Sequence, residues 1–118
     1  MIQEDYVSFE VAKLLKEKGF DIECNTAYYN GSLIDYTLYG FCDGELINCP
    51  THQMAMKWLR EKQIYIRIIE DAFGESYRFE VYSKNPNVKI NYYVPNYYKD
   101  TYEDDDEAAL KYCLENLI

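Results

Sequence analysis

Lys13-Leu14-Leu15-Lys16-Glu17-Lys18-Gly19-Phe20 returns further along the chain as Lys57-Trp58-Leu59-Arg60-Glu61-Lys62-Gln63-Ile64. Four of the eight positions are identical, one exchanges Lys for Arg, and two exchange one apolar residue for another. The segments downstream of the two copies also align: Gly31-Ser32-Leu33-Ile34-Asp35-Tyr36-Thr37-Leu38-Tyr39 with Gly74-Glu75-Ser76-Tyr77-Arg78-Phe79-Glu80-Val81-Tyr82. The pattern implies a helix, then strands, then the same again. The identities fall where any amphipathic Lys/Glu/Leu helix would place them, so convergence accounts for the helices as well as duplication does. The aligned strands keep duplication in play.

Outward from the first octapeptide, Ser8 is the expected N-cap, its hydroxyl accepting from an early backbone N–H. Val11, Ala12, Leu14, Leu15 and Lys18 form the inward stripe. Gly19 can take the left-handed conformation that ends a helix, and Phe20 can fold back on Leu15 in a Schellman arrangement. Asn30-Gly31 and Asp43-Gly44 are two-residue hairpin signals, because a type I′ turn needs positive φ at both centres. They divide residues 21–49 into three strands: Ile22 to Tyr29, Ser32 to Cys42, and Glu45 to Cys49. In the second of these, Ile34, Tyr36, Leu38 and Gly40 should face the core, and Leu33, Asp35, Thr37 and Tyr39 the other side.

Around the second octapeptide, Pro50 closes a strand and Thr51 caps a helix with Ala55, Trp58, Leu59 and Lys62 at helical spacing. Trp58 is expected as a core anchor. Ile64, Ile66 and Ile68 then alternate with Tyr65, Arg67 and Ile69, and Tyr77, Phe79 and Val81 with Arg78, Glu80 and Tyr82. Residues 70–75 form the loop between them. Asn85-Pro86-Asn87 is a turn, and Val88 to Val94 a third strand. After a polar link, Thr101 caps a closing helix, about 102–117, with Leu110, Cys113, Leu114 and Leu117 as its stripe.

The expected architecture is α+β, in the order α-βββ-α-βββ-α, with antiparallel sheets and helices on one face. The length fits a single domain, residues 1–118, with pseudo-repeats at about 8–49 and 51–94. Double-stranded-RNA-binding domains share the α-βββ-α order, but the basic residues that such a domain presents to phosphates are not evident here.

The net charge is −9, from 21 acidic and 12 basic residues, with no basic cluster free of acids. That argues against direct nucleic-acid binding, which needs clustered Lys and Arg. No apolar stretch reaches the ~20 residues of a membrane span. Met1-Ile2-Gln3-Glu4-Asp5 carries no basic region leading into an apolar run, so the expected location is the cytoplasm. Cys24, Cys42, Cys49 and Cys113 are then expected as free thiols. The 14 tyrosines suit half-buried sheet faces and interfaces. Their plainer role is to build and cover a small sheet, and the alternative is a dedicated aromatic binding surface.

Three constellations could carry chemistry. Cys42, Cys49 and His52 are spaced C-x6-C-x2-H, and Cys24 could supply a fourth zinc ligand, but structural zinc sites favour tighter pairs. The plain alternative has Cys24 and Cys42 as small strand residues and His52 exposed in a first helical turn. Cys49 before a helix N-terminus, where the dipole lowers a thiol pKa, could pair with His52 for thiol catalysis. No third orienting residue is identifiable. Glu103-Asp104-Asp105-Asp106-Glu107 could imitate phosphates, yet the acids better suit the first turn of a helix, where the macrodipole favours them. Phosphate-binding glycine loops, G-x-S-x-G elbows and H-E-x-x-H motifs are absent from the sequence. No catalytic, cofactor-binding or metal-binding residue is therefore assigned.

Three segments, Ser8 to Phe20, Pro50 to Lys62 and Glu107 to Ile118, resemble a group of short uncharacterised proteins encoded by phages and mobile elements of gut bacteria. The resemblance spans most of the chain, chiefly its helices. It implies a cytosolic, phage-linked protein and carries over no activity or site residues. The expected function is a non-enzymatic protein-binding or host-modulating module, with an unidentified protein partner. A thiol enzyme using Cys49 with His52 and an acidic nucleic-acid mimic are the alternatives. Homo-oligomerisation is compatible with each, since sheet edges must be covered or blunted.

Overall fold

A computed structural model of the protein describes residues 5–35, 46–71, 75–87, 92–95 and 98–118. It is α+β, in the expected α-βββ-α-βββ-α order: α1 Phe9–Glu17, β1 Thr26–Tyr29, β2 Ser32–Asp35, β3 Leu46–Asn48, α2 His52–Glu61, β4 Ile64–Glu70, β5 Tyr77–Ser83, β6 Tyr92–Tyr93 and α3 Tyr102–Asn116.

The caps explain where the helices begin. Ser8, Thr51 and Thr101 are all extended, and their side-chain oxygens accept from Val11 N (3.2 Å), Met54 N (3.2 Å) and Asp104 N (3.1 Å). Each satisfies one of the N–H groups that a helix start leaves unpaired. Helix α1 stops in a Schellman motif: Phe20 N–H reaches Leu15 O at 2.9 Å and Gly19 N–H reaches Lys16 O at 3.2 Å, with Gly19 at φ +94°.

Both sheets are antiparallel and three-stranded, in the orders β2-β1-β3 and β4-β5-β6. Asn30 (φ +50°) and Gly31 (φ +84°) make the expected turn between β1 and β2, which pair from Tyr29↔Ser32 to Thr26↔Asp35. The first sheet nevertheless departs from a simple meander. Strand β3 pairs with β1, not β2, through Ala27↔Asn48, Tyr28↔Ile47 and Tyr29↔Leu46. Cys49 N–H to Thr26 O (3.0 Å) and Thr26 Oγ1 to Cys49 O (2.6 Å) continue that pairing past the strand end. Residues 22–25 stand outside the strand predicted from Ile22, and Cys24 is buried in that connection. The predicted strand positions 36–42, with Gly40 and Cys42 among them, and the Asp43-Gly44 turn lie outside the described residues.

The second sheet matches its alternation closely. Strands β4 and β5 pair over seven positions, from Ile64↔Ser83 to Glu70↔Tyr77. Asp71 closes the far end, its carboxylate accepting from Glu75 N (3.0 Å) and Ser76 Oγ (2.8 Å). Asn85 folds the predicted turn by accepting from Asn87 N at 2.9 Å. Of the strand expected from Val88, residues 88–91 lie outside the described residues.

One buried cluster draws on every helix and both sheets. Leu15, Leu59, Ile64, Phe79, Leu110 and Leu114 are among its fully buried members. Each such side chain is worth roughly 1.5–3 kcal/mol relative to an exposed one. Trp58 is the anchor expected, buried and edge-on to Phe20 at 5.5 Å. Tyr93 stacks on Tyr112 at 4.0 Å and joins β6 to α3. The extents are 46 × 37 × 19 Å. The shortest has room for one helical layer on one layer of sheet, given a spacing of ~10 Å between layers.

Candidate functional site

The starts of α1 and α2 meet the second turn of α3 at one buried junction. Chain segment 5–8 runs beside 50–52, with Val7 N–H on Pro50 O (3.1 Å) and His52 N–H on Asp5 O (2.9 Å). This brings Ser8, the cap of α1, next to His52, the first residue of α2. Helix α3 supplies the third side. Glu107 Oε1 accepts from Ser8 N at 2.7 Å and lies 2.9 Å from His52 Nε2. Asp106 Oδ2 stands 3.5 Å from His52 Nδ1. In a capping box, the third helical residue reaches back to the N-cap N–H. In α1 that residue is Val11, which has no acceptor to offer, and Glu107 takes the role from another helix.

The environment sets the charges. Burial works against a charged His52, yet the facing carboxylates of Asp106 and Glu107 push its pKa up to about 9, which favours the imidazolium at neutral pH. Burial also works against the charge on Glu107, but the hydrogen bonds from His52 and Ser8 hold it below the ordinary carboxylate value. Asp105 is fully buried, and neither of its oxygens has a hydrogen-bond partner among the described residues. Burial, then the negative charge of Asp106, raise it to about 6 against the pull of Lys99.

This corrects one expectation. His52 is buried, not exposed, because the acids of α3 give it a paired environment that the helix start alone would not. Only part of the run from Glu103 to Glu107 faces water: Asp105 and Asp106 are buried and Glu107 is half-buried. The sequence held a signal for this. The buried stripe Ala109, Leu110, Cys113 and Leu114, carried back one helical turn, lands on Asp105 and Asp106.

The thiol constellation does not assemble. Cys49 is fully buried and donates to Val7 O at 3.4 Å. Burial pushes its thiol up to about 12, against hydrogen bonds to Tyr28 and Val7 that pull it down. The helix-dipole activation expected from its position before α2 is outweighed by desolvation. His52 turns to the carboxylates and does not serve Cys49 as a base. Cys24 and Cys113 are buried free thiols as well. Among the described residues, no group of three or more His, Cys, Asp and Glu side chains is placed to hold a metal ion. None of the described helices is long and apolar enough to cross a membrane.

A cleft of about 530 Å³ lies between α1 and α3 beside this junction, lined by Glu10, Lys99, Glu107, Lys111 and Glu115 among others. Lys111 spans it to Glu10 at 2.9 Å. Its lysines and carboxylates are interspersed, and no Cys or Ser is among its described lining residues.

The outward face of the second sheet has a different character. Ile64, Ile66, Ile68, Phe79 and Val81 point to the core, which leaves Tyr65, Arg67, Ile69, Arg78, Glu80 and Tyr82 on the other side. Register places Tyr65 opposite Tyr82 and Arg67 opposite Glu80. The two rings stack at 5.1 Å with 15° between planes. Arg67 Nη2 meets Glu80 Oε1 at 2.9 Å, and Tyr92, paired with Tyr82 from β6, donates to Glu80 Oε2 at 2.7 Å. Lys84 lies over Tyr65 at 5.6 Å, and Arg78 over Tyr98 at 4.8 Å. Tyr82, Tyr92 and Tyr98 are 38%, 59% and 49% exposed, values high for large rings. Sequence alternation predicts these strands but not which tyrosines stay bare; Tyr93, next to Tyr92, turns inward onto Tyr112.

No protein-family profile, curated protein or solved structure matches this chain.

Proposed function

We propose that this chain is a non-enzymatic protein-binding module that acts in the cytoplasm on a host protein, and that it binds through the outward face of the second sheet. The supporting observation is the exposed tyrosine platform of that face, Tyr82 and Tyr92 beside stacked Tyr65 and flanked by Arg67. Tyr and Arg dominate the energetics of protein interfaces, because each combines a large apolar contact with a directional polar tip. Contacts of Tyr65 with Tyr82, Arg67 with Glu80 and Tyr92 with Glu80 restrain these side chains before binding, which lowers the side-chain entropy lost on binding.

The other readings have less to stand on. A buried Cys49 with a raised pKa is a poor nucleophile, and two of the five acids available for mimicry are buried. The test is a pull-down from host lysate, with and without added salt, using the wild type beside Tyr82→Ser/Tyr92→Ser. A partner held by the wild type and lost by the folded variant supports the reading. Equal retention by both, or none by either, counts against it.

A further inference from the structure

The charge on the tyrosine face runs against the charge of the chain. The chain carries −9 overall, but Arg67 and Arg78 of the strands and Lys84 just past β5 gather here, with Glu80 the one facing carboxylate among the described strand residues and Asp71, just past β4, held by Glu75 N and Ser76 Oγ. Arg67 remains 66% exposed despite its contact with Glu80. A guanidinium has five N–H donors in a planar fork, more than the two oxygens of the Glu80 carboxylate, which it meets through Nη2, can engage. Lys84 sits over the Tyr65 ring, where it can reach a second anion without leaving the aromatic surface.

Resting on the protein-binding reading, we infer that the partner segment is acidic and aromatic: one or two carboxylates placed for Arg67 and Lys84, with planar side chains laid on Tyr82 and Tyr92. Charge complementarity selects this occupant. A basic segment would meet three cations at the point of contact. A nucleic-acid strand brings a phosphate at every step and needs a continuous Lys/Arg track, which three cations surrounded by an acidic chain do not supply. A short segment with isolated carboxylates needs no such track, and an arginine fork matches a carboxylate in two parallel hydrogen bonds.

The test uses three fluorescent probes at low salt: a synthetic peptide alternating Glu with Tyr and Phe, the same peptide with Lys for Glu, and an oligo-dT strand. Each is titrated by anisotropy against the wild type, Arg67→Gln/Lys84→Gln and Tyr82→Ser/Tyr92→Ser, all checked for fold by circular dichroism. The acidic peptide should bind the wild type best, and should weaken at least about tenfold with the neutralised cations, as for close interfacial charge pairs. Preference for the Lys peptide, indifference to the Arg67/Lys84 change, or no peptide binding at all overturns the inference. Tighter binding of oligo-dT overturns it in favour of a single-strand surface. The tyrosine variant separates the two claims. Peptide binding that it abolishes without regard to peptide charge keeps the face as the binding site and removes the acidic partner. Binding that it leaves intact removes the face itself.

Discussion

Helix α1 ends with Gly19 at φ +94°, and helix α2 ends with Gln63 at φ +64°. Gly19 N–H bonds to Lys16 O at 3.2 Å and Gln63 N–H to Arg60 O at 2.9 Å, the equivalent bond in each helix. Beyond this point the halves part. Phe20 completes the Schellman motif and the chain wanders before β1, whereas Ile64 enters β4 at once, opposite Ser83. The carbonyls of Lys62 and Gln63 are taken by Asn85 Nδ2 (3.2 Å) and Lys84 N (3.0 Å) from the far end of the hairpin. The central strand is then the first of its set in one sheet and the second in the other. Similar octapeptides thus produce similar helix ends, while the strand order depends on what each half finds to pair with.

The helix starts differ as well, and the largest predicted effect lies there. Glu107 serves α1 through the Ser8 N–H and α2 through the His52 ring. Glu107→Ala would leave a buried imidazolium short of one partner and a cap N–H unpaired. Breaking such a pair from one side costs about 3–5 kcal/mol, and urea denaturation should show a loss near the lower figure, since Glu107 is only half-buried. Glu107→Gln, which keeps an acceptor but not the charge, should lose about half as much. Equal stability of Glu107→Ala and the wild type would mean that the two helix starts do not depend on this shared carboxylate.

Leu15 and Leu59 are the matched core positions, both at 0% exposure. Leu→Ala at either should cost roughly 3 kcal/mol, within the 2–5 seen for buried leucines. The comparison predicts nearly equal losses by urea denaturation. A difference above ~1.5 kcal/mol would show that the two halves pack their shared stripe unequally.

The junction also sets a pH dependence whose two limbs run in opposite senses. Asp105 has a folded-state pKa raised to about 6, so its contribution is complete below the ordinary carboxylate range and is lost as pH rises through 6. Glu107 is depressed, so its contribution holds above the ordinary range and is lost as pH falls through its lowered value. The urea midpoint should therefore rise between about pH 7 and about pH 5, then fall in stronger acid. Asp105→Asn should make the first limb shallower without removing it, because His52, raised to about 9, also gains stability as pH falls towards its ordinary value, and should leave the second. A wild-type midpoint that falls steadily below neutrality would contradict the raised Asp105.

What could be read from the sequence divides along the same line. Caps, the Schellman end, the Asn30-Gly31 turn and the β4–β5 alternation depend on residues close together in the chain, and the structure contains all of them. The β1–β3 pairing and the His52–Glu107 contact join distant segments, and local periodicity does not determine such partners. The site was least legible because its residues look ordinary in isolation. His52 reads as an exposed first-turn residue until the α3 acids are placed beside it, and Tyr92 and Tyr93 are indistinguishable until one is seen on Tyr112.

The smallest effect bears most directly on whether the two helix ends are equivalent. Both backbones sit at positive φ, where a side chain is strained, yet one holds Gly and the other Gln. Gly19→Ala should therefore destabilise by about 1 kcal/mol, with open space around its Cβ and strain as the only cause. Gln63→Gly should act in the opposite direction and stabilise by a few tenths to about 1 kcal/mol, since relief of strain exceeds the added freedom of the unfolded chain. Thermal melts of the two variants beside the wild type would give shifts of opposite sign. If Gln63→Gly instead destabilises, the Gln63 side chain is contributing contacts of its own, and the two helix ends are alike in backbone but not in what holds them.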